Sequence, residues 1–310
     1  MGFRDIVSVV IKQWARVTLG WNVVTILLGA LVRATHSGAG CGRSWPTCSG
    51  EILPELAGAR AVEYVHRVAS GLALLLVFGL VVLVWRRTTG GEAIRRAAAW
   101  AGLAIVGEAL IGAAIVLYEW VDADSSIARV VAVPLHLVNT FLLLAALTLV
   151  VWYAAGGQRL AGRGPIRRWL VLGAWGLVAI AATGAVTALA DTLFPKDSSG
   201  SVGAIHFLSD LRVVHPLLAT TVVASAVIAS RRARTPLLWR LLTLVMLGQL
   251  VLGVANIWLG TPVWLQLTHL LVADVIWVLY VWFAAQVLSS IHASSVTEEV
   301  GLRQTIPEHR

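Results

Sequence analysis

The sequence is poor in charge and nearly without cysteine: charged residues fill 13% of its 310 positions, and Cys41 and Cys48 are the only cysteines. Beside 58% hydrophobic residues and a mean hydropathy of +0.82, that scarcity excludes an ordinary soluble domain. Little chain is left between the apolar runs for a separate soluble unit, so function is expected inside a membrane or in its loops. No small-residue cleavage site follows MGFRDIVSVVIKQWAR, and no removable signal peptide is expected. The formal charge of +8 comes from arginines clustered in short loops. That placement reads as membrane topology, and no nucleic-acid partner is expected.

What is present is a series of apolar runs of about 20 residues, the length a helix needs to cross hydrocarbon. Eight spans are expected, at about 15–34, 61–85, 97–118, 130–154, 167–190, 208–230, 237–258 and 263–290. Arg86, Arg87, Arg95 and Arg96, then Arg159, Arg163, Arg167 and Arg168, then Arg231, Arg232, Arg234 and Arg240 mark alternate loops as cytoplasmic. Both termini then lie in the cytoplasm, and even-numbered helices start at the outer face of a cell (plasma or inner) membrane. Tryptophans such as Trp85, Trp120, Trp169, Trp258 and Trp264 fall near span ends, where an interfacial belt places them.

The halves repeat. Gly107-Glu108 with Gly112 in the third span matches Gly248-Gln249 with Gly253 in the seventh, and Gly29-Ala30 matches Gly184-Ala185. The expected fold is an all-α integral membrane protein, with eight transmembrane helices as two pseudo-twofold-related four-helix bundles. The units are residues 1–158, residues 159–292 and a polar cytoplasmic tail at 293–310.

Four of the eight histidines lie in spans, His66, His136, His215 and His269, each on an even-numbered helix and about two turns or less from its outer end. Ionisable groups are costly inside a membrane and usually face the bundle interior to serve a pathway, ligand or cofactor. Pairs of neutral imidazoles on facing helices suit haem iron. Tetrahedral zinc fits less well, because no Cys or further carboxylate completes a set on the same helices. Two haem sites near the outer face follow, His66 with His136 and His215 with His269. Glu63 precedes His66 by three residues, where His215 has Arg212. An Arg neutralises a propionate, whereas a Glu beside the ring suits proton handling or stabilisation of positive charge, or else an i,i+4 pair with Arg67.

The stretches GALVRATHSGAGCGRSWPTC (29–48), EYVHR (63–67), PLHLVNT (134–140), RVVHP (212–216) and QLTHLLVAD (266–274) resemble the heme A synthase family over essentially the whole chain. The resemblance implies a haem-dependent membrane oxidoreductase of two four-helix halves that oxidises the C8 methyl of heme O to a formyl group, giving heme A for terminal oxidases. It implies heme b iron on His215 and His269, the substrate heme O between His66 and His136, and Glu63 as the catalytic acidic residue. It also implies a disulfide between Cys41 and Cys48, either a structural staple or part of the chemistry. The loop DTLFPKDSSGSVGA lacks the second cysteine pair that some members carry. Expected partners are a farnesyltransferase that supplies heme O, an unidentified electron-transfer protein and the lipid bilayer.

Arg33 and Arg67 are candidates to meet propionates or Glu63, or to snorkel to the interface, and Arg212 is a candidate for a propionate or an outer contact. Glu108 and Gln249 either line the two cavities or pair across helices, and Asp274 needs a partner. His36 and His206 read as interfacial, and His292 and His309 as tail residues. One rival is a bis-haem cytochrome b-like electron carrier, against which Glu63 and the cysteine loop speak. Another is a transporter with parallel repeats, but the histidines sit towards one face rather than at the midplane.

Overall fold

The computed structural model describes residues 3–89, 93–122, 124–160, 164–193, 211–232 and 236–304. Among them the helices are α1 (Phe3–Ala34), α2 (Gly58–Arg87), α3 (Ala93–Leu117), α4 (Ile127–Ala154), α5 (Pro165–Leu193), α6 (Val214–Arg232), α7 (Leu237–Trp258) and α8 (Val263–Gln304). A 3-10 turn, Leu211–Val213, precedes α6, and no strand occurs among the described residues. Helix is what these apolar runs must form, because lipid offers no partner to an open backbone group.

Among the described residues, seven helices have apolar stretches long enough to cross a membrane, including Ser8–Ala34 of α1 and Val263–Ser289 of α8. Eight helices stand where eight spans are expected, and the sixth is the shortest of them among the described residues. The apolar part of α6 is the shorter Val214–Ala229, and residues 208–210 of the expected sixth span lie outside the described residues. Pro216 has no N–H to give and sits in the first turn of α6, where that donor has no intrahelical partner in any case. The α8 backbone stays helical to Gln304, past the start of the expected tail at 293.

Helices α1 to α4 close a ring through the contacts α1–α2, α2–α3, α3–α4 and α4–α1, and α5 to α8 close another in the same order. The rings meet along α4, which also touches α5 and α8, and along α1, which also touches α8. In the first ring, buried Ala97, Ala98 and Ala101 of α3 let Val77 and Leu80 of α2 and Leu147 and Val150 of α4 approach closely. A second cluster joins Phe141 and Leu144 of α4 to Leu177, Val223, Leu242, Met246 and Ile276 of the other ring. Across that seam Trp277 Nε1 donates to the Phe141 carbonyl at 2.7 Å, and within the second ring Tyr280 donates to the Leu170 carbonyl at 2.6 Å. Leu75, Trp100 and Val251 point outward, each about two-thirds exposed. Such residues suit lipid as the surrounding solvent.

Candidate paired-histidine sites

Each of the four membrane histidines faces a glycine on the preceding helix. A Cβ added to Gly29 of α1 would stand 2.9 Å from Cε1 of His66 on α2, and one added to Gly184 of α5 would stand 2.9 Å from Cε1 of His215 on α6. The same construction gives 4.0 Å from Gly112 of α3 to His136 on α4, and 3.3 Å from Gly253 of α7 to His269 on α8. The glycines thus let each imidazole approach its neighbour's backbone, which fixes ring positions without a side-chain wall. Gly184→Ala should displace His215 and cut haem retention at that pair by about tenfold or more, the scale on which loss of an outer support weakens a metal site. Gly20→Ala, with nothing within 4 Å, serves as the silent control. The haem absorbance of the two purified variants checks this.

His215 and His269 stand with ring centres 6.4 Å apart and planes at 77°. His215 Nδ1 lies 3.0 Å from the Ile180 carbonyl and 3.4 Å from the Thr183 hydroxyl. Donation to that carbonyl leaves the Nε2 lone pair free, the arrangement of a metal-ligating histidine with an outer partner. The His269 carbonyl accepts from Gln249 Nε2 at 2.8 Å, and its Nδ1 has no hydrogen-bond partner among the described residues.

In the first ring His136 Nδ1 lies 2.8 Å from Glu108 Oε2. The contact is short but off the direction of a good hydrogen bond, so it acts chiefly through charge. Glu108 is held from its other oxygen by Asn139 Nδ2 at 2.6 Å, and the same nitrogen reaches the Ala104 carbonyl at 2.8 Å. Asn139 stands three residues after His136, on the same helical face. That spacing is visible inside PLHLVNT, but nothing in the sequence assigns it a role.

Glu63 is 3% exposed, and both its oxygens are engaged. Oε2 accepts from the backbone N–H of Cys41 at 2.7 Å, and Oε1 accepts from Arg67 Nε at 3.1 Å and from Arg67 Nη2. Arg67 Nη1 in turn donates to the carbonyls of Ser44 and Thr47. The ion pair of α2 thereby braces the loop closed by the Cys41–Cys48 disulfide. Removing one member of a buried pair typically costs about 3–5 kcal/mol. Arg67→Ala should lower the unfolding temperature and expose residues 41–48 to protease, which limited digestion followed by mass spectrometry will read.

Arg33 does not reach Glu63. Its Nη1 donates to the Ala188 carbonyl at 2.9 Å and to the Thr192 hydroxyl at 2.8 Å, and its Nη2 donates to Gln266 Oε1 at 2.9 Å. It ties α1 to α5 and α8, a link between rings that no local spacing announces. Arg212 Nε lies 3.0 Å from Asp191 Oδ1, and Nη2 donates to the Ala190 carbonyl at 3.0 Å. Asp274 is fully buried with neither oxygen bonded among the described residues. His36 is exposed, in a turn with φ of 52°. His206 and His309 lie outside the described residues, as does the side chain of His292.

Apolar helices in two adjoining rings, with His215 and His269 6.4 Å apart in the second, define a helical membrane protein. The COX15-CtaA family, described as cytochrome oxidase assembly protein, matches residues 12–61 and 55–281, and the chain belongs to that family. A Thermus thermophilus protein named protoheme IX farnesyltransferase is 42% identical over 284 residues, 86% of this chain and 47% of that one. The chain therefore spans about half the length of that relative. Heme A synthase of Bacillus pumilus is 43% identical over 65 residues, 21% of each chain. Heme A synthase of Bacillus mycoides is 37% identical over 113 residues, 36% of each chain.

Proposed function

We propose that the chain is a heme A synthase, which oxidises the C8 methyl of heme O to a formyl group. The observation that carries the reading is the 6.4 Å separation of the His215 and His269 rings. Two imidazole nitrogens about 2 Å from one metal ion, the usual bond length, put ring centres about 6 Å apart. These residues fit a haem iron, and His215 and His269 would hold heme b as the resident electron carrier. Bound haem iron supplies one-electron chemistry.

His66 and His136 flank the substrate heme O in the first ring. Conversion of methyl to formyl removes four electrons and four protons from the methyl and one water, so the site needs a proton acceptor as well as an electron path. Glu63 is the acidic residue assigned to that work, as proton acceptor or as counter-charge to positive charge developing at the methyl carbon. Its bond to the Cys41 amide and its pair with Arg67 hold the carboxylate at one position, so no reorganisation is needed when charge develops. Arg33 of α1, which reaches α5 and α8, and Arg212 of the second ring are the candidates to meet propionates.

The matching Gly–His contacts support two pseudo-twofold-related bundles in one orientation. The arginine loops support cytoplasmic termini in the plasma or inner membrane, with both haem sites towards the outer face. A farnesyltransferase as supplier of heme O is supported by the relative of that name, about half of whose length is like this chain. The same name favours a second reading, in which this chain itself transfers the farnesyl group. Purified protein given heme O and a one-electron acceptor such as ferricyanide, or protohaem and farnesyl diphosphate, separates the two. Chromatography should find a hydroxylated haem or heme A in the first mixture and unchanged protohaem in the second; heme O formed in the second mixture would overturn the proposal.

A further inference from the structure

Of the four membrane imidazoles, only that of His136 has a carboxylate against its Nδ1 among the described residues. His215 Nδ1 meets the neutral Ile180 carbonyl, and the Nδ1 atoms of His66 and His269 are buried without a hydrogen-bond partner among those residues. Glu108 Oε2 stands 2.8 Å from His136 Nδ1, and three features keep it there. Asn139 holds its other oxygen at 2.6 Å. The Ala104 carbonyl, one turn earlier on α3, holds Asn139 at 2.8 Å. Gly107 supplies the room, since a Cβ there would stand 3.0 Å from Asn139 Oδ1. The corresponding position of the second ring carries Gln249, a neutral side chain that donates to the His269 backbone instead of touching its ring.

We propose that Glu108, held by Asn139, is a positioning residue that fixes the His136 ring and makes the first-ring haem site the lower in reduction potential of the two. The inference rests on the proposed reading that His136 faces a haem. The physical step is short. A fixed negative charge beside one ring nitrogen raises electron density on the ligating nitrogen opposite, as outer carboxylates do for metal-bound histidines. Extra negative charge stabilises the oxidised, more positive iron over the reduced one, and the low dielectric of a membrane interior leaves that effect little screened. Gln249 provides no such charge, so the twin sites, alike in their histidines and glycines, differ in the electronic character of one ligand. A substrate site that must give up electrons and a resident site that must receive them call for that order of potentials.

The test is a potentiometric titration of the full-length protein in detergent, loaded with protohaem IX and followed in the visible spectrum. The two transitions are assigned with His215→Ala, which leaves the first-ring haem alone. Glu108→Gln keeps the shape and removes the charge. It should raise the first-ring potential by about 59 mV, a tenfold change in a one-electron equilibrium, and leave the second-ring transition in place. Glu108→Asp, which keeps the charge, should return most of the shift, and Asn139→Ala, which frees the carboxylate, should raise the potential by a smaller amount. Wild-type protein that holds the His136-dependent haem but shows no shift in Glu108→Gln and Asn139→Ala overturns this inference alone. Protein from which His136→Ala removes no haem overturns the proposed function and this inference with it.

Discussion

Protein carrying His215→Ala or His269→Ala emerges from purification without the haem of the second ring, and its absorbance falls to the share of the first. The expected loss of retention exceeds the roughly 10- to 100-fold seen when only an outer partner of a metal ligand is removed, because one of two direct ligands is gone. The two variants should behave alike, since the 6.4 Å arrangement needs both rings. They differ in what remains: His215→Ala also frees the Ile180 carbonyl, whereas His269→Ala leaves the His215–Ile180 contact intact. Haem-staining gels and visible spectra read both. Full absorbance in either variant would remove that pair from the account.

Glu63→Gln should keep both haems and lose catalysis. General acid–base participation is worth about 10²–10⁴-fold, and turnover should fall within that range. Gln is the informative replacement because its side-chain oxygen can still accept from the Cys41 amide, as Glu63 Oε2 does at 2.7 Å. Ala removes that acceptor and strands the Arg67 guanidinium, so its defect mixes chemistry with release of the 41–48 loop. Arg67→Ala separates the two contributions. It disturbs the loop but leaves the carboxylate, and the protease pattern of residues 41–48 should open in Arg67→Ala while staying closed in Glu63→Gln.

Much of this architecture is legible in the chain because lipid leaves few choices. Apolar runs such as that in α2 have to be helices, and a His inside one has to serve some purpose. The Glu63–Arg67 pair can be read from its i,i+4 spacing, and the four histidines from their places inside apolar runs. The Cys41 amide on Glu63 cannot be read, because it depends on how a 23-residue connection (35–57) folds back over α2. Arg33 illustrates the same limit, since its partners on α5 and α8 lie more than 150 positions away. Hydropathy alone does not show the 3-10 turn at Leu211–Val213 ahead of α6, because an apolar run reads the same for either kind of helix. The glycines stand out as a repeat, yet their contact with the imidazoles is a property of helix pairs and not of either helix by itself.

The central claim is a division of labour: one ring keeps its haem and the other changes one. The most direct measurement supplies purified protein, already carrying protohaem, with heme O and a one-electron acceptor such as ferricyanide, then extracts and separates all haems after turnover. The account predicts one protohaem per chain that remains unmodified and a second haem that passes from heme O to its oxidised products, with that passage absent in Glu63→Gln. Recovery of only unmodified haems, at the same ratio in wild type and Glu63→Gln, would contradict it and leave a bis-haem electron carrier in its place.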